Sequence, residues 1–348
     1  MAFDFSALRI PLVQAPMAGG VNTVEMVAAV ANAGAIGSFG FAYSSAQKIA
    51  ADLEATKQKT HGAINANFFV FSPVSPPSDL EVQRAIEALA ALPMSQGIEY
   101  RVPSSPYYPE LEELLDPVWH YRPHWVTFHF GIPPSSVIDR AKQLKIAVGI
   151  TATSVQEALE IQRAGADAVI AQGIEAGGHR GIFDADGADE CMGIDDLLKS
   201  VHGHLKIPVI AAGGLMTGHD IRRIQSLGAR AAQMGTAFLC CHESGASSAH
   251  QRDLMQKNQL GTAYTRAFSG RRAQGIANRF IRQMQDQFYL PFPIQNTLTG
   301  ALRQKAVQED DGDYQSLWAG SNYAKVRAMS VADLINLLSK EYSQINQS

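Results

Sequence analysis

Short apolar runs alternate along the chain with longer stretches in which apolar residues recur every three or four positions, from about residue 12 to residue 234. A run of four to six mostly apolar residues closed by glycine or a polar cluster reads as a buried strand, and the longer periodic stretches read as amphipathic helices. The pattern predicts eight strands: Leu12–Ala15, Ile36–Phe39, Gly62–Asn67, Trp125–Phe130, Ile146–Ile150, Ala168–Gln172, Pro208–Ala212 and Ala231–Met234. Apolar strands separated by helices belong to a parallel sheet covered on both faces, and eight such units predict an α/β fold closed into a TIM (β/α)8 barrel. An internal echo supports the count. Asn32-Ala33-Gly34-Ala35, Arg163-Ala164-Gly165-Ala166 and Ser226-Leu227-Gly228-Ala229 each end a helix and lead into a strand, with the glycine suited to a left-handed C-cap.

Two regions fall outside the repeat. Residues 93–123, rich in proline and tyrosine, read as an insertion between the third and fourth strands, able to cover the barrel mouth. Residues 246–324 are mostly polar with a helical pattern interrupted by Leu290-Pro291-Phe292-Pro293, and read as a small C-terminal helical domain over the substrate. The expected organisation is a barrel over 1–245, the helical domain over 246–324, and a last helix over 325–348 packed on the barrel.

Composition narrows the function classes. In 348 residues, 46% are hydrophobic and 18% charged, with net charge −4, which provides for a large core and gives no basic footprint for nucleic acid. Cys191, Cys240 and Cys241 have no metal-ligand spacing and read as reduced structural thiols; no metal site is expected. The first residues lack a secretory pattern and no apolar run reaches a membrane span, so a soluble cytoplasmic protein is expected, with no membrane partner.

The candidate chemistry gathers at the carboxyl ends of the strands, where barrels of this type carry their sites. After the sixth strand comes Gly173-Ile174-Glu175-Ala176-Gly177-Gly178-His179-Arg180-Gly181, a single imidazole in a glycine-rich loop where a general base would stand. Gly213-Gly214 follows the seventh strand and Gly235-Thr236 the eighth. Each offers exposed backbone N–H groups before a helix, the makings of one phosphate site, although either turn alone also reads as a tight structural turn. Asn65 and Asn67 face one side of the third strand, and one of them could meet the edge of a heterocycle; His129 ends the fourth strand. Gln172, Asn67, Gly214 and Thr236 come from four strands yet surround one cavity, as a planar phosphorylated cofactor requires. Neither a Rossmann fingerprint nor a P-loop occurs.

Gln14-Ala15-Pro16-Met17, Ala171 to Gly181, Ala211-Ala212-Gly213-Gly214, Ala232 to Phe238 and Ser269 to Phe280, in this order, resemble the nitronate monooxygenases, formerly 2-nitropropane dioxygenases, and the Glu-Ala-Gly-Gly-His-Arg-Gly block resembles their class I. The resemblance implies an FMN-dependent barrel that oxidises alkyl nitronates, such as propionate 3-nitronate, with O2 and without metal, through a flavin semiquinone, in a detoxifying role. It places Met17 and Ala18 backbone, Asn67, Gln172, Gly177, Gly214, Gln233, Met234, Gly235 and Thr236 around FMN, His179 at the catalytic position, and His129 and Ser269 at the substrate pocket. Leu290, Ile294 and Leu298 stand where relatives are expected to carry tyrosines and a lysine near the substrate, so a charged substrate needs another cation. A small-molecule partner and a monomer or homodimer are expected. The alternatives are an FMN-dependent NAD(P)H:quinone or enoyl-thioester reductase and a non-catalytic flavin- or phosphate-binding barrel.

Overall fold

The computed structural model describes residues 3–256 and 260–344. Eleven strands occur among them: β1 (Leu12–Gln14), β2 (Gly37–Gly40), β3 (Ile64–Phe69), β4 (Trp125–His129), β5 (Ala147–Ala152), β6 (Ala168–Gln172), β7 (Gly178–His179), β8 (Val209–Ala212), β9 (Ala231–Met234), β10 (Thr262–Thr265) and β11 (Ala273–Ile276). Eight form one parallel sheet in the order β1-β9-β8-β6-β5-β4-β3-β2. A parallel bridge between Val13 and Ile36 brings β1 and β2 together, with Gln14 N–H donating to Ile36 O at 2.9 Å, and the sheet closes as a TIM barrel. The eight expected barrel strands are all present, with ends displaced by no more than two residues.

Burial explains why these segments are strands. Every residue of β3, β5 and β6 is buried, as in a sheet with helices outside and side chains inside. The amino-terminal end of the barrel is filled by Val13, Ile36, Trp125, Ala147, Ala168, Ile170, Ile210, Ala212 and Ala231, and the Phe3 and Phe5 rings close it against Trp125 at 5.4 and 5.6 Å between centroids. The interior is therefore solid below and open only at the carboxyl ends of the strands. Gly34, Gly165 and Gly228 all take positive φ just past the helices Val24–Asn32, Val155–Ala164 and Gly218–Ser226, so the echo marks three copies of one turn.

The two outer regions differ in detail from the sequence pattern. Residues 93–123 include the helix Leu111–Tyr121, which packs beside Ala46–Lys59 as an ordinary outer helix of the barrel, and none of these residues lines the central cavity. Residues 246–324 are not helical throughout: β10, β11 and β7 form a separate antiparallel sheet, in which Ala273 pairs with His179 and Gln274 with Gly178. These strands are four residues or fewer, so their hydrophobic period is too short to read. A second core, with Leu89, Leu92, Phe268, Phe280, Leu290, Ile294, Leu298 and Leu302, holds this region together and takes in Tyr100 and Tyr107 of the 93–123 stretch. The helix Val331–Ser343 packs on Gly218–Ser226 of the barrel. No helix among the described residues is long and apolar enough to cross a membrane.

Candidate active site

A cavity of about 800 Å³ opens at the carboxyl ends of the barrel strands. One wall consists of strand ends and the turns that follow them, including Met17, Ala18, Asn67, His129, Gln172 and Gly214. The other is built by the region after residue 244, including His250, Asn296, Arg303, Trp318 and Gly320.

The barrel wall is shaped by glycines that allow main chain to meet main chain. A Cβ on Gly40 would lie 2.6 Å from Ala18 N, so the Met17–Ala18 turn rests directly on β2. A Cβ on Gly177 would lie 2.4 Å from the carbonyl carbon of Ala319, so only glycine lets the loop after β6 sit against the outer wall. Gly213 and Gly214 take φ of +123° and +66°. Among the described residues, the N–H groups of Gly214, Gly235 and Thr236 find no acceptor in the chain. The N-terminus of Gly218–Ser226 does not share in this supply of donors: its Met216 and Thr217 N–H groups donate to Asp220 and that of Gly218 to Glu341 at 2.7 Å. An anion site in this wall thus draws on the glycine turns and not on that helix.

His179 is held by both walls. Pairing of β7 with β11 fixes its backbone, and its carbonyl accepts from Gln172 Nε2 at 3.0 Å, while Gln172 Oε1 accepts from Gly181 N–H at 2.7 Å. Ser269 Oγ lies 2.9 Å from His179 Nε2 and 3.0 Å from the Arg271 carbonyl oxygen, and accepts from Arg271 N–H at 3.2 Å. The carbonyl needs a donor, so the hydroxyl proton turns to it and the hydroxyl oxygen accepts from His179 Nε2–H. The lone pair of the ring is then on Nδ1. Burial, followed by the neighbouring His129, Arg271 and Arg303, pushes the imidazole down to about 3, so it is neutral. Burial likewise pushes His129 down to about 4; its Nε2 lies 3.2 Å from the His179 carbonyl.

The loop around His179 is anchored beneath. Arg180 is fully buried, with Nε and Nη2 on the Asp189 carboxylate at 3.0 and 3.1 Å, and a further bond from Nη1 to Gln172 O. Arg272 Nη1 meets the same carboxylate at 3.1 Å. Burial would raise the Asp189 carboxyl, but the Arg180 hydrogen bonds and the Cys191 N–H outweigh it and hold it below the ordinary range.

Of the residues singled out in the sequence, Met17, Ala18, Asn67, His129, Gln172, Gly177, His179, Gly214, Gln233, Gly235 and Thr236 line the cavity. Asn67 donates through Nδ2 to Thr127, which leaves its Oδ1 without a bond in the chain, whereas Asn65 lies one layer deeper, bonded to Ser38 and Thr127. Met234 points away: strand alternation puts Gln233 inward and the Met234 side chain into the core. Ser269 reaches the cavity only through His179. Leu290, Ile294 and Leu298 are buried in the second core and do not approach the cavity; the helical face turned to it carries Asn296, Gly300, Arg303 and Val307. That spacing of four, three and four is a helical stripe, and was the available signal. Tyr43 lines the cavity from the turn after β2, and His250 and Trp318 are brought there by long-range closure with no local sequence mark.

The nitronate monooxygenase family profile matches residues 4–341. The nitronate monooxygenase of Pseudomonas aeruginosa is 37% identical over 341 residues, 96% of each chain. Among solved structures, the nitroalkane oxidase of Streptomyces ansochromogenes superposes with a TM-score of 0.92 at 34% identity over 97% of both chains. FabK from Thermotoga maritima gives 0.73 at 26% identity, over 96% of this chain and 93% of that one. The chain belongs to the nitronate monooxygenase family, and so to a family of oxidoreductases.

Proposed function

We propose that the protein is an FMN-dependent nitronate monooxygenase, oxidising alkyl nitronates with O2 to carbonyl compounds and nitrite or nitrate. The observation that carries this reading is a neutral, deeply set imidazole beside a cradle of unpaired backbone donors in one cavity. The cradle suits a flat phosphorylated ligand. The N–H groups of Gly214, Gly235 and Thr236 face an anion, and Gln233 Oε1, buried without a partner, awaits a donor such as a heterocycle edge supplies. Met17, Ala18, Asn67, Gln172, Gly177, Gly214, Gln233, Gly235 and Thr236 would hold FMN, which when bound supplies the electron acceptance that nitronate oxidation needs.

The side chains then bind, orient and exclude water. A nitronate has already lost its α-proton, so its oxidation requires no base. A neutral nitroalkane must give up that proton, and an imidazole pushed down to about 3 is a poor acceptor for it. In this reading the substrate is the pre-formed anion, and the neutral His179 lines its site without acting as its base.

The test is oxygen uptake and nitrite release by the yellow protein given pre-formed ethyl nitronate, nitroethane, or NADH. We expect rapid uptake with the nitronate, rates roughly 100-fold lower with nitroethane before it ionises, as a missing general base implies, and no bleaching by NADH. Bleaching by NADH with inert nitronate would transfer the protein to the reductases, and a colourless, inactive protein to the non-catalytic reading.

A further inference from the structure

Gly300 opens the first turn of the helix Gly300–Gln308 and lines the cavity. Nothing in the chain accounts for a glycine there. Its φ lies outside the left-handed region, and a Cβ built on it meets no neighbouring atom within 4 Å. The other glycines of the cavity are accounted for by their surroundings. Gly19, Gly178, Gly213 and Gly214 take positive φ, and a Cβ on Gly177, Gly245 or Gly320 would come within 2.6 Å of main chain. Gly235 has the Ala15 Cβ 3.3 Å from where its own would stand. In the first turn of a helix alanine serves the backbone better than glycine, so Gly300 weakens this turn and relieves no contact within the chain. Val307 lies two turns further along the same helix face, and Tyr43 stands edge-on to Phe69 with 5.7 Å between ring centroids. Both line the cavity, and both are large apolar side chains left about half in water, at 52% and 46% exposure. Scattered apolar side chains on a surface need no explanation, but two that share a cavity with an unfilled helix position provide apolar area for a ligand.

We propose that Gly300 is a specificity-determining residue of this cavity, and that the space it leaves receives the substrate's carbon chain as it runs from the strand ends toward Val307 and Tyr43. The proposal rests on the nitronate reading above and adds to it the position that sets how much chain is accepted. The matching chemistry is an alkyl group, because a bare helix position, a valine and a phenol ring offer area and no charge. Their place on the rim leaves the strand ends and His179 free for the reacting end of the substrate.

The experiment compares kcat/KM for hexyl nitronate with that for ethyl nitronate in the flavin-loaded protein and its Gly300→Ala and Gly300→Leu variants. A Cβ here meets open space, so Gly300→Ala should melt about 1–3 °C above the parent. A lower melting temperature would mean that the fold itself requires the glycine, and overturns the proposal. The hexyl-to-ethyl ratio should fall about 10- to 100-fold in Gly300→Leu, the contact of roughly two to three methylenes, and about fourfold in Gly300→Ala. A ratio within twofold of the parent's in Gly300→Leu overturns the proposal, and so does loss of flavin from that variant, which gives the space to the cofactor. If Gly300→Leu fails to fold, the ratio in Gly300→Ala decides, and an unchanged value overturns the proposal. Heptanoate and propanoate, which carry the same chains on an anion that cannot react, give an arm independent of turnover. Calorimetry should show the parent's preference for heptanoate reduced about tenfold or more in Gly300→Leu, and an equal preference in both proteins overturns the proposal. Parent protein that oxidises neither nitronate yet shows this loss of preference removes the nitronate reading and leaves the chain pocket standing; one that neither oxidises the nitronates nor binds heptanoate overturns both.

Discussion

The two walls of the cavity are made in different ways. On the barrel wall each side chain has its direction set by strand alternation: Gln233 faces in because Met234 faces out, and Asn67 reaches the cavity because Asn65 lies two residues down the same strand. The outer wall has no such lattice. It is attached by a few long-range bonds, among them the pairing of Ala273 with His179, Gly320 N–H on Thr236 Oγ1 at 3.0 Å, Asn322 Nδ2 on Gly214 O at 2.7 Å and the Tyr264 hydroxyl on Ile174 O at 2.7 Å. The barrel wall presents main-chain donors and amides, which suit a cofactor that never changes. The outer wall presents Arg303, Asn296 and His250, side chains that stand outside the strand lattice of the barrel.

If the walls differ in this way, damage to the joint between them should be the most severe. Arg180→Met removes a buried bidentate partner and leaves Asp189 with Arg272 alone; we expect a loss of about 3–5 kcal/mol in urea unfolding. The loss should be similar at pH 7 and pH 5, because Asp189 is held below its ordinary value and stays ionised at both. A loss under about 1 kcal/mol would mean that the joint bears little. Gly177→Ala drives a methyl into the Ala319–Gly320 main chain and should cost about 1–3 kcal/mol, with weaker retention of flavin. A neutral effect would show that the outer wall moves aside freely.

His250, on the outer wall, should have the smallest effect at neutral pH. Burial pushes it down to about 4 and its Nε2 has no partner, so it is held neutral. Its folded value lies below the unfolded one of about 6.5, so the unfolded chain binds the extra proton between these values, and stability is full above the upper value and declines as pH falls toward the lower. His250→Gln should flatten the slope of unfolding free energy against pH over that window by up to one proton, with little change at pH 8. An unchanged slope would show that His250 does not titrate on unfolding.

The same division decides what the sequence could disclose. The eight strands, the three glycine turns and most of the barrel-wall residues were legible because period-two and helical patterns act over a few residues, and because strand ends converge at one mouth in a barrel. Arg303 and the pairing of β11 with β7 were not. Their placement depends on a second core assembled from residues 85–107 and 267–314, and the stripe Asn296, Gly300, Arg303, Val307 shows its side only once Leu290, Ile294 and Leu298 are known to be inside. The helix register was present in the sequence, but not the knowledge of which face was covered.

The bond from Gly218 N–H to Glu341 gives the end of the chain an electrostatic task. With Asp220, that carboxylate plugs the positive tip of the helix Gly218–Ser226, which would otherwise be a second berth for anions a few residues from Gly214. The plug is itself tethered, since Arg327 holds the other oxygen of Glu341 at 2.6 Å. The last helix therefore leaves a phosphate arriving at the barrel mouth with a single address.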